Sequence, residues 1–358
     1  MIRIEIEPVW RFRKDGDPQG MHIMLDFLNE IRETGKITKA AGRAQVSYRH
    51  AWNLIERWAD FFDAPLVERK QGSGTTLTPL GEKLVWAGQR LQARLRPQLE
   101  NLSQELETEI SQFVPHIPSI VRVHASHGFA VAALRDLLSR EPRVGIDLRY
   151  VNNQTSVVSL AHGGCDLAGM HLPRGDLRQR SITAYRGWLD SSQHRIIGFV
   201  TREMGLMVKK GNPLHITAVQ DLLRPSIRFV NRDPDSGTKL LFDQILAQEH
   251  LDPASIDGYS KMEYTHAAVA AYVASGMADV SFGVEAAARQ FGLDFVRLLT
   301  EDYFFVCHRQ VLDTEPMKHI IRVMKSHDFH AAVTGLPGYA VNNAGSIRTV
   351  KEVFRKEH

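Results

Sequence analysis

The order of apolar and polar positions divides this chain into two halves with different periods. In the first, Ile2, Ile4 and Ile6 alternate with Arg3, Glu5 and Glu7, which is strand-like and unlike the apolar core of a secretory leader. Ile23, Leu25, Phe27, Leu28 and Ile31 then recur at helical spacing, predicting a helix over residues 21–34 that Gly35 ends. Thr38 is placed to cap a short second helix whose Ala40, Ala41 and Ala44 permit close contact between helices. Ser47 is placed to cap a third, reaching about residue 62. Its apolar side is Ala51, Trp52, Leu54, Ile55, Trp58 and Phe62, and Tyr48, Arg49, Asn53 and Arg57 lie on the other. Residues 65–69 read as a strand and 76–78 as its return, with a Gly/Ser-rich connection between. Pro79 is then suited to the first position of a long helix. Leu84, Leu91, Leu95, Leu99, Leu102, Leu106, Ile110 and Phe113 form a stripe of the kind that seams two helices, with Pro97 expected to kink it or mark a joint.

Val114, Pro115, Ile117 and Pro118 mark a boundary, after which strand, loop and helix alternate. Strands are expected at 120–125, 146–151 and 166–171, with helices after the first two. A second lobe begins near residue 203, with strands at 227–231 and 278–282 and helices at 239–248, 265–274 and 284–291. Residues 303–308 return the chain to the first lobe. The expected fold class is α/β overall: a winged helix-turn-helix at 1–78, a linker and dimerisation helix at 79–114, and a two-lobed α/β domain at 115–358 with its second lobe at about 203–301. Such alternation implies a largely parallel sheet and a cleft between lobes.

Composition adds limits. The 358 residues suit two or three domains, and 43% hydrophobic with 24% charged residues is ordinary for a globular chain. A net charge of +3 is too small to imply nucleic acid without a local concentration of charge. No run approaches the roughly 20 apolar residues of a membrane helix. Cys165 and Cys307 are far apart and lack metal-ligand spacing. The expectation is a cytoplasmic protein with no membrane partner, metal or cofactor.

Local charge and shape point to DNA for the first half. A capped helix with a polar, basic start fits the major groove, and Ser47, Tyr48, Arg49, Asn53 and Arg57 are its candidate contacts. Arg pairs guanine and Asn pairs adenine, so Tyr48, Arg49 and Asn53 are the base-edge candidates, while Arg57 reads equally well as a solvated charge. Arg69 and Lys70, near the hairpin tip, would meet phosphate. Trp52 and Trp58 read as core. In the second half, small hydroxyl and amide residues sit at helix starts, where unpaired N–H groups and the helix dipole attract anions. The candidate ligand residues are Ser126, His127, Asn153, Thr155, Ser156, His171, Asn231, Ser236, Gly237, Thr238, Thr265 and His266. Gly237 allows backbone to approach a ligand. One alternative is an enzyme, with His127, His171 and His266 gathered on zinc beside Glu285. Against it, no short metal spacing, nucleophile elbow, P-loop or dinucleotide fingerprint is present. Another is an architectural DNA-binder whose α/β part only oligomerises.

Gly35, Lys36 and Ile37, then Ser47 through Trp52, Pro65 through Arg69, and Leu77 through Gly81 closely resemble the winged-helix domain of molybdate-responsive ModE-type regulators, with a broader kinship to LysR-type regulators. This resemblance covers about residues 1–112. It implies a dimeric winged helix that places the helix starting at Ser47 in the major groove. Residues 160–171, 228–232 with 235–238, and 265–276 resemble the ligand-binding domain of type II periplasmic-binding-protein-like regulators, in the molybdate-binding-protein-like branch. This second resemblance covers about residues 118–340. The chain departs from molybdate-responsive regulators, which usually end in small β-barrel oxyanion modules. Together the resemblances imply a transcriptional regulator with no catalytic residue. Its partners would be double-stranded DNA, in a palindromic operator, and a small anion in the interlobe cleft. That anion would be molybdate, tungstate or a small carboxylate such as formate, and the protein a homodimer or dimer of dimers.

Overall fold

A computed structural model describes residues 3–14, 17–20, 22–70, 74–111, 113, 120–140 and 144–355. The expected boundary at Val114–Pro118 and the wing tip at 71–73 lie outside the described residues. The chain forms two compact units, Glu7–Ala93 and Arg94–His358, the latter joined by Met1–Ile6.

The smaller unit starts with an antiparallel pair, β1 (Arg11–Lys14) and β2 (Asp17–Gly20). The strand expected from the alternation of Ile2, Ile4 and Ile6 is not formed at residues 3–10. Pro8 lacks a ladder donor, and the Ile4 N–H bonds the Glu107 side chain at 2.7 Å instead. Three helices follow: α1 (His22–Thr34), α2 (Ile37–Arg43) and α3 (Tyr48–Phe62). Gly35, at φ +67, turns the chain so tightly that α2 restarts at Ile37. Thr38 is therefore inside the helix and Lys36 stands at the cap without a side-chain bond, contrary to the expectation that Thr38 caps it. Met24, Phe27, Leu28, Ile31, Ile55 and Trp58 fill the core, closed by Leu66 of the approach to the hairpin. The hairpin is β3 (Val67–Lys70) with β4 (Gly74–Leu77). Gly74 at φ +89 lies so close to the Gly35 carbonyl that an added Cβ would stand 2.5 Å from its oxygen.

Helix α4 (Pro79–Ser111) runs unbroken past Pro97, so Pro97 does not split it into two segments. One missing N–H removes one backbone bond, and the turns on either side retain theirs. The division between the compact units falls inside this helix.

The larger unit continues with β5 (Ile120–Ala125), α5 (Phe129–Leu138), β6 (Gly145–Tyr150), α6 (Asn153–Ala161), β7 (Leu167–Pro173) and α7 (Leu177–Thr183). Then come β8 (His194–Val208), β9 (Phe229–Arg232), α8 (Gly237–Gln248), β10 (Met262–Glu263), α9 (His266–Ala274), β11 (Val280–Val284), α10 (Glu285–Gln290) and β12 (Asp294–His308). The chain ends with α11 (Glu315–Met324), α12 (His327–Thr334), β13 (Tyr339–Val341), β14 (Ile347–Thr349) and α13 (Val350–Val353). The main sheet has the order β10-β9-β11-β8-β12-β7-β5-β6, with β13 and β14 also on β8. It is mixed and not largely parallel: β5 pairs β6 and β7 in parallel, whereas β8 and β12 run antiparallel to each other and to β11 and β7.

The reason lies in those two 15-residue strands. Each runs through both lobes, one outward and one back, so they pair antiparallel. One core contains Val123, Leu134, Phe199, Phe305 and Phe329, and the other Leu206, Phe229, Phe242, Leu246 and Phe282. Strand β8 supplies Phe199 to the first and Leu206 to the second, so the same strand is the crossing. Irregular register at Arg297/Leu299 and at Tyr303/Phe304 flanks the crossing point, where Arg202 faces Glu301. Among the described residues no helix is long and apolar enough to cross a membrane.

Candidate functional site

In the smaller unit, Ser47 caps α3 by accepting a 3.1 Å bond from the His50 N–H. Ala51, Ile55 and Trp58 are buried, which turns Tyr48, Arg49, Asn53 and Arg57 outward, all exposed. Trp52 is half-buried and not wholly core: the Arg69 guanidinium lies 4.4 Å above its ring, and Arg69 Nη2 donates to the Tyr48 hydroxyl at 3.4 Å. The wing arginine is thus stacked on the helix and joined to one of its candidate base-reading residues. Lys70 ends β3, and its side chain is outside the described structure. The Thr75 N–H bonds the Gly35 carbonyl at 2.9 Å, tying the wing to the turn between α1 and α2.

In the larger unit, the seam between lobes is lined by the crossing strands and by three helix starts. The α8 start from one lobe meets the other lobe directly, since a Cβ on Gly237 would stand 2.8 Å from His171 Cε1 and 3.2 Å from Asn153 Nδ2. His171 Nδ1 bonds Glu301 Oε1 at 3.0 Å, and the other carboxylate oxygen takes Arg202 Nε at 2.8 Å. All three side chains are buried. Burial would raise the Glu301 carboxyl, but Arg202 and then His171 hold it down to about 2. Burial pushes the Tyr303 hydroxyl, which meets Ser126 Oγ at 3.4 Å, up to about 12.

Arg232 adds a second guanidinium. Its Nη2 donates to the Tyr264 carbonyl at 2.9 Å, and its Nε is buried without a hydrogen-bond partner among the described residues. Burial, only partly offset by Asp233 and aggravated by Arg202, brings it down to about 10. The histidines feel the same field. Burial, opposed by Glu100, pushes His127 down to about 4, and burial with Arg232 and Arg202 pushes His266 well below its ordinary value. His171 is lowered by burial and Arg202. These rings are therefore neutral hydrogen-bonding groups at pH 7. His266 Nε2 faces Thr238 Oγ1 at 3.4 Å, and its Nδ1 is buried without a partner among the described residues. Among the described residues no group of three His, Cys, Asp or Glu is placed to hold a metal ion.

Of the twelve sequence candidates, the structure brings His127, His171, Asn153, Gly237, Thr238 and His266 to this seam. Ser126 joins them through Tyr303. Several others have their polar atoms engaged within the fold. Ser236 accepts from the Lys239 N–H and donates to the Asp233 carbonyl. Thr265 caps α9 by accepting from the Ala268 N–H. Ser156 donates to the His124 carbonyl at 2.6 Å, and Asn231 bonds the Tyr259 carbonyl and the Arg232 N–H. Thr155 is exposed, and Asn152, not a hydroxyl residue, caps α6. Sequence reading missed Arg202, Glu301 and Tyr303. Arg228, which could have been a ligand arginine, is paired on the surface with Asp279 at 2.8 Å.

Residues 135–325 match the model of the PBP superfamily domain. The chain belongs to the PBP superfamily. Ahead of this PBP superfamily domain, residues 24–82 match the model of the bacterial regulatory helix-turn-helix protein, lysR family. An uncharacterized protein, YvgK of Bacillus subtilis, is 31% identical over 199 residues, 56% of this chain and 64% of that protein. Transcriptional regulator ModE of Haemophilus influenzae is 42% identical over 63 residues, 16% of this chain and 25% of that protein. The chain thus spans under two thirds of both relatives. The solved structure of full-length BenM aligns over 85% of this chain and 96% of its own at 15% identity, with a TM-score of 0.43.

Proposed function

We propose that this protein is a one-component transcriptional regulator that binds operator DNA as a homodimer and responds to a small anion held at the interlobe seam. The observation that carries the ligand half is Arg232. A mostly buried guanidinium whose Nε has no partner among the described residues, held below its ordinary pKa beside a second guanidinium, is stabilised by an arriving negative charge. The neutral histidines and the α8 start add hydrogen-bond donors without adding charge. The candidate ligands are molybdate, tungstate and small carboxylates such as formate. The exposed row Tyr48, Arg49, Asn53 and Arg57, with the wing, supports sequence reading in a major groove. The exposed apolar residues Leu102, Leu106 and Ile110 on α4 support pairing of two copies around a palindromic site.

Thermal melting against molybdate, tungstate, sulfate, formate and acetate tests this reading. At about 100 times its dissociation constant a ligand adds roughly 2.7 kcal/mol, a readily measured shift. Arg232→Met should abolish the shift for the responsive anion. A shift that persists in Arg232→Met, or a panel without any response, rejects the seam as an anion site and leaves an architectural DNA-binder.

A further inference from the structure

Residues 94–111 of α4 belong to the larger unit, and they touch both of its lobes. On the first lobe, Asn101 grips the edge strand β6 at two points: its Nδ2 donates to the Tyr150 carbonyl at 3.0 Å and its Oδ1 accepts the Tyr150 N–H at 2.7 Å. One residue earlier, Glu100 Oε2 is 3.2 Å from Arg135 Nη1 and 3.9 Å from Nε2 of His127, a seam residue. On the second lobe, Arg94 Nε is 3.7 Å from Glu263 Oε2, and its guanidinium lies 5.0 Å above the Tyr264 ring. Tyr264 is in turn held through its carbonyl by Arg232.

The two feet, Arg94 and Asn101, are seven residues apart on one helix, about 10.5 Å along its axis. An α-helix does not stretch, so a change in the angle between lobes cannot keep both feet in place. They also differ in strength. The Asn101 grip is a two-point hydrogen bond to backbone, whereas Arg94 is 46% exposed and its ion pair is long. The weaker foot yields first.

We propose that residues 94–101 of α4 are a strap across the two lobes, fixed by Asn101 and Glu100 to the first. Its Arg94 foot on Glu263 and Tyr264 is made only when the lobes are closed, so that closure of the seam sets the helix that leads to the DNA-binding unit. This rests on the seam being the regulated site, but not on which ligand closes it.

The test uses a lock in place of a ligand. In full-length protein, Ser181→Cys with Gln244→Cys places thiols on α7 of the first lobe and α8 of the second, where the native side chains hydrogen-bond at 3.0 Å, and a short thiol-to-thiol crosslinker holds the seam closed. Affinity is measured for DNA selected from a randomised pool. Crosslinking should change it by at least about fivefold, the lower range of measured coupling between sites. Arg94→Ala in the same background should reduce that response to under about twofold while the uncrosslinked protein binds DNA as the parent does. Tyr264→Ala, which removes the ring and keeps the carbonyl, should act likewise and guards against a helix-stability effect of Arg94→Ala. A parent that does not respond to locking, or a response that survives both substitutions, overturns the strap. Because the lock requires no anion, a failed anion panel and a failed strap give different results.

Discussion

The Arg202–Glu301 pair at the crossing of β8 and β12 is the point at which a single substitution should cost most. Glu301 is 1% exposed and Arg202 3%; the carboxylate accepts a hydrogen bond from Arg202 Nε at 2.8 Å and lies 2.7 Å from Nη2 as an ion pair. Glu301→Gln keeps the shape and the acceptor for His171 but removes the charge, leaving Arg202 buried and unbalanced beside Arg232. Breaking a buried pair in this way costs about 3–5 kcal/mol. For a unit of this size that is a fall of roughly 6–20 °C in melting temperature. Arg202→Met should cost a similar amount, because the Glu301 carboxyl loses the group that chiefly holds it at about 2. The double variant removes both charges and should be less destabilised than the sum by at least about 2 kcal/mol. Urea unfolding of the four proteins at pH 7, followed by a signal from the larger unit, gives the cycle. Additivity within about 0.5 kcal/mol, or a loss under about 1 kcal/mol for Glu301→Gln, would refute the claim that this pair is a coupled buried unit.

Three further outcomes are expected. The folded-state pKa values of His127, at about 4, and of His171 and His266 lie below the unfolded value, so the unfolded chain takes up protons first as pH falls. Stability should be complete above about pH 6.5 and decline from there toward about pH 4, and His127→Gln should flatten part of that slope in melting scans; a flat wild-type profile would contradict the burial argument. Gly237→Ala puts a Cβ 2.8 Å from His171 Cε1, so it should spread the seam and reduce the anion-induced melting shift, at a cost of roughly 1–3 kcal/mol for overpacking; an undiminished shift would show that the lobes do not close here. Arg49→Ala should lose about 1–3 kcal/mol of discrimination between selected and random DNA, measured by competition, and an equal loss on both would make Arg49 a phosphate contact.

The candidate DNA-reading helix, α3, was legible because its determinants are local. Ser47 as cap, Ala51, Ile55 and Trp58 as the inward face, and Arg49 and Asn53 as the outward face all follow from helical spacing within one segment. The stack of Arg69 on Trp52 was not, since it needs the wing folded back onto the helix. Strand β8, His194–Val208, was not read as a strand; only the start of the second lobe was placed near residue 203. The strand is buried along almost its whole length, so it lacks the polar-apolar alternation that marks a half-exposed strand.

At the seam, the chain by itself determined which segments would be helix starts and which would be strands, and so brought His127, His171, Gly237, Thr238 and His266 into consideration. It did not show that Ser236 and Asn231 would have their polar atoms engaged at home, because that depends on which carbonyls and N–H groups stand opposite. Only the tertiary structure paired Arg202 with Glu301, 99 residues away, and placed Arg232 beside them. Spacing along a chain fixes which face of an element a residue occupies. The charge a site can accept depends on burial and on neighbours from distant strands, and those exist only once the two lobes have closed around the crossing.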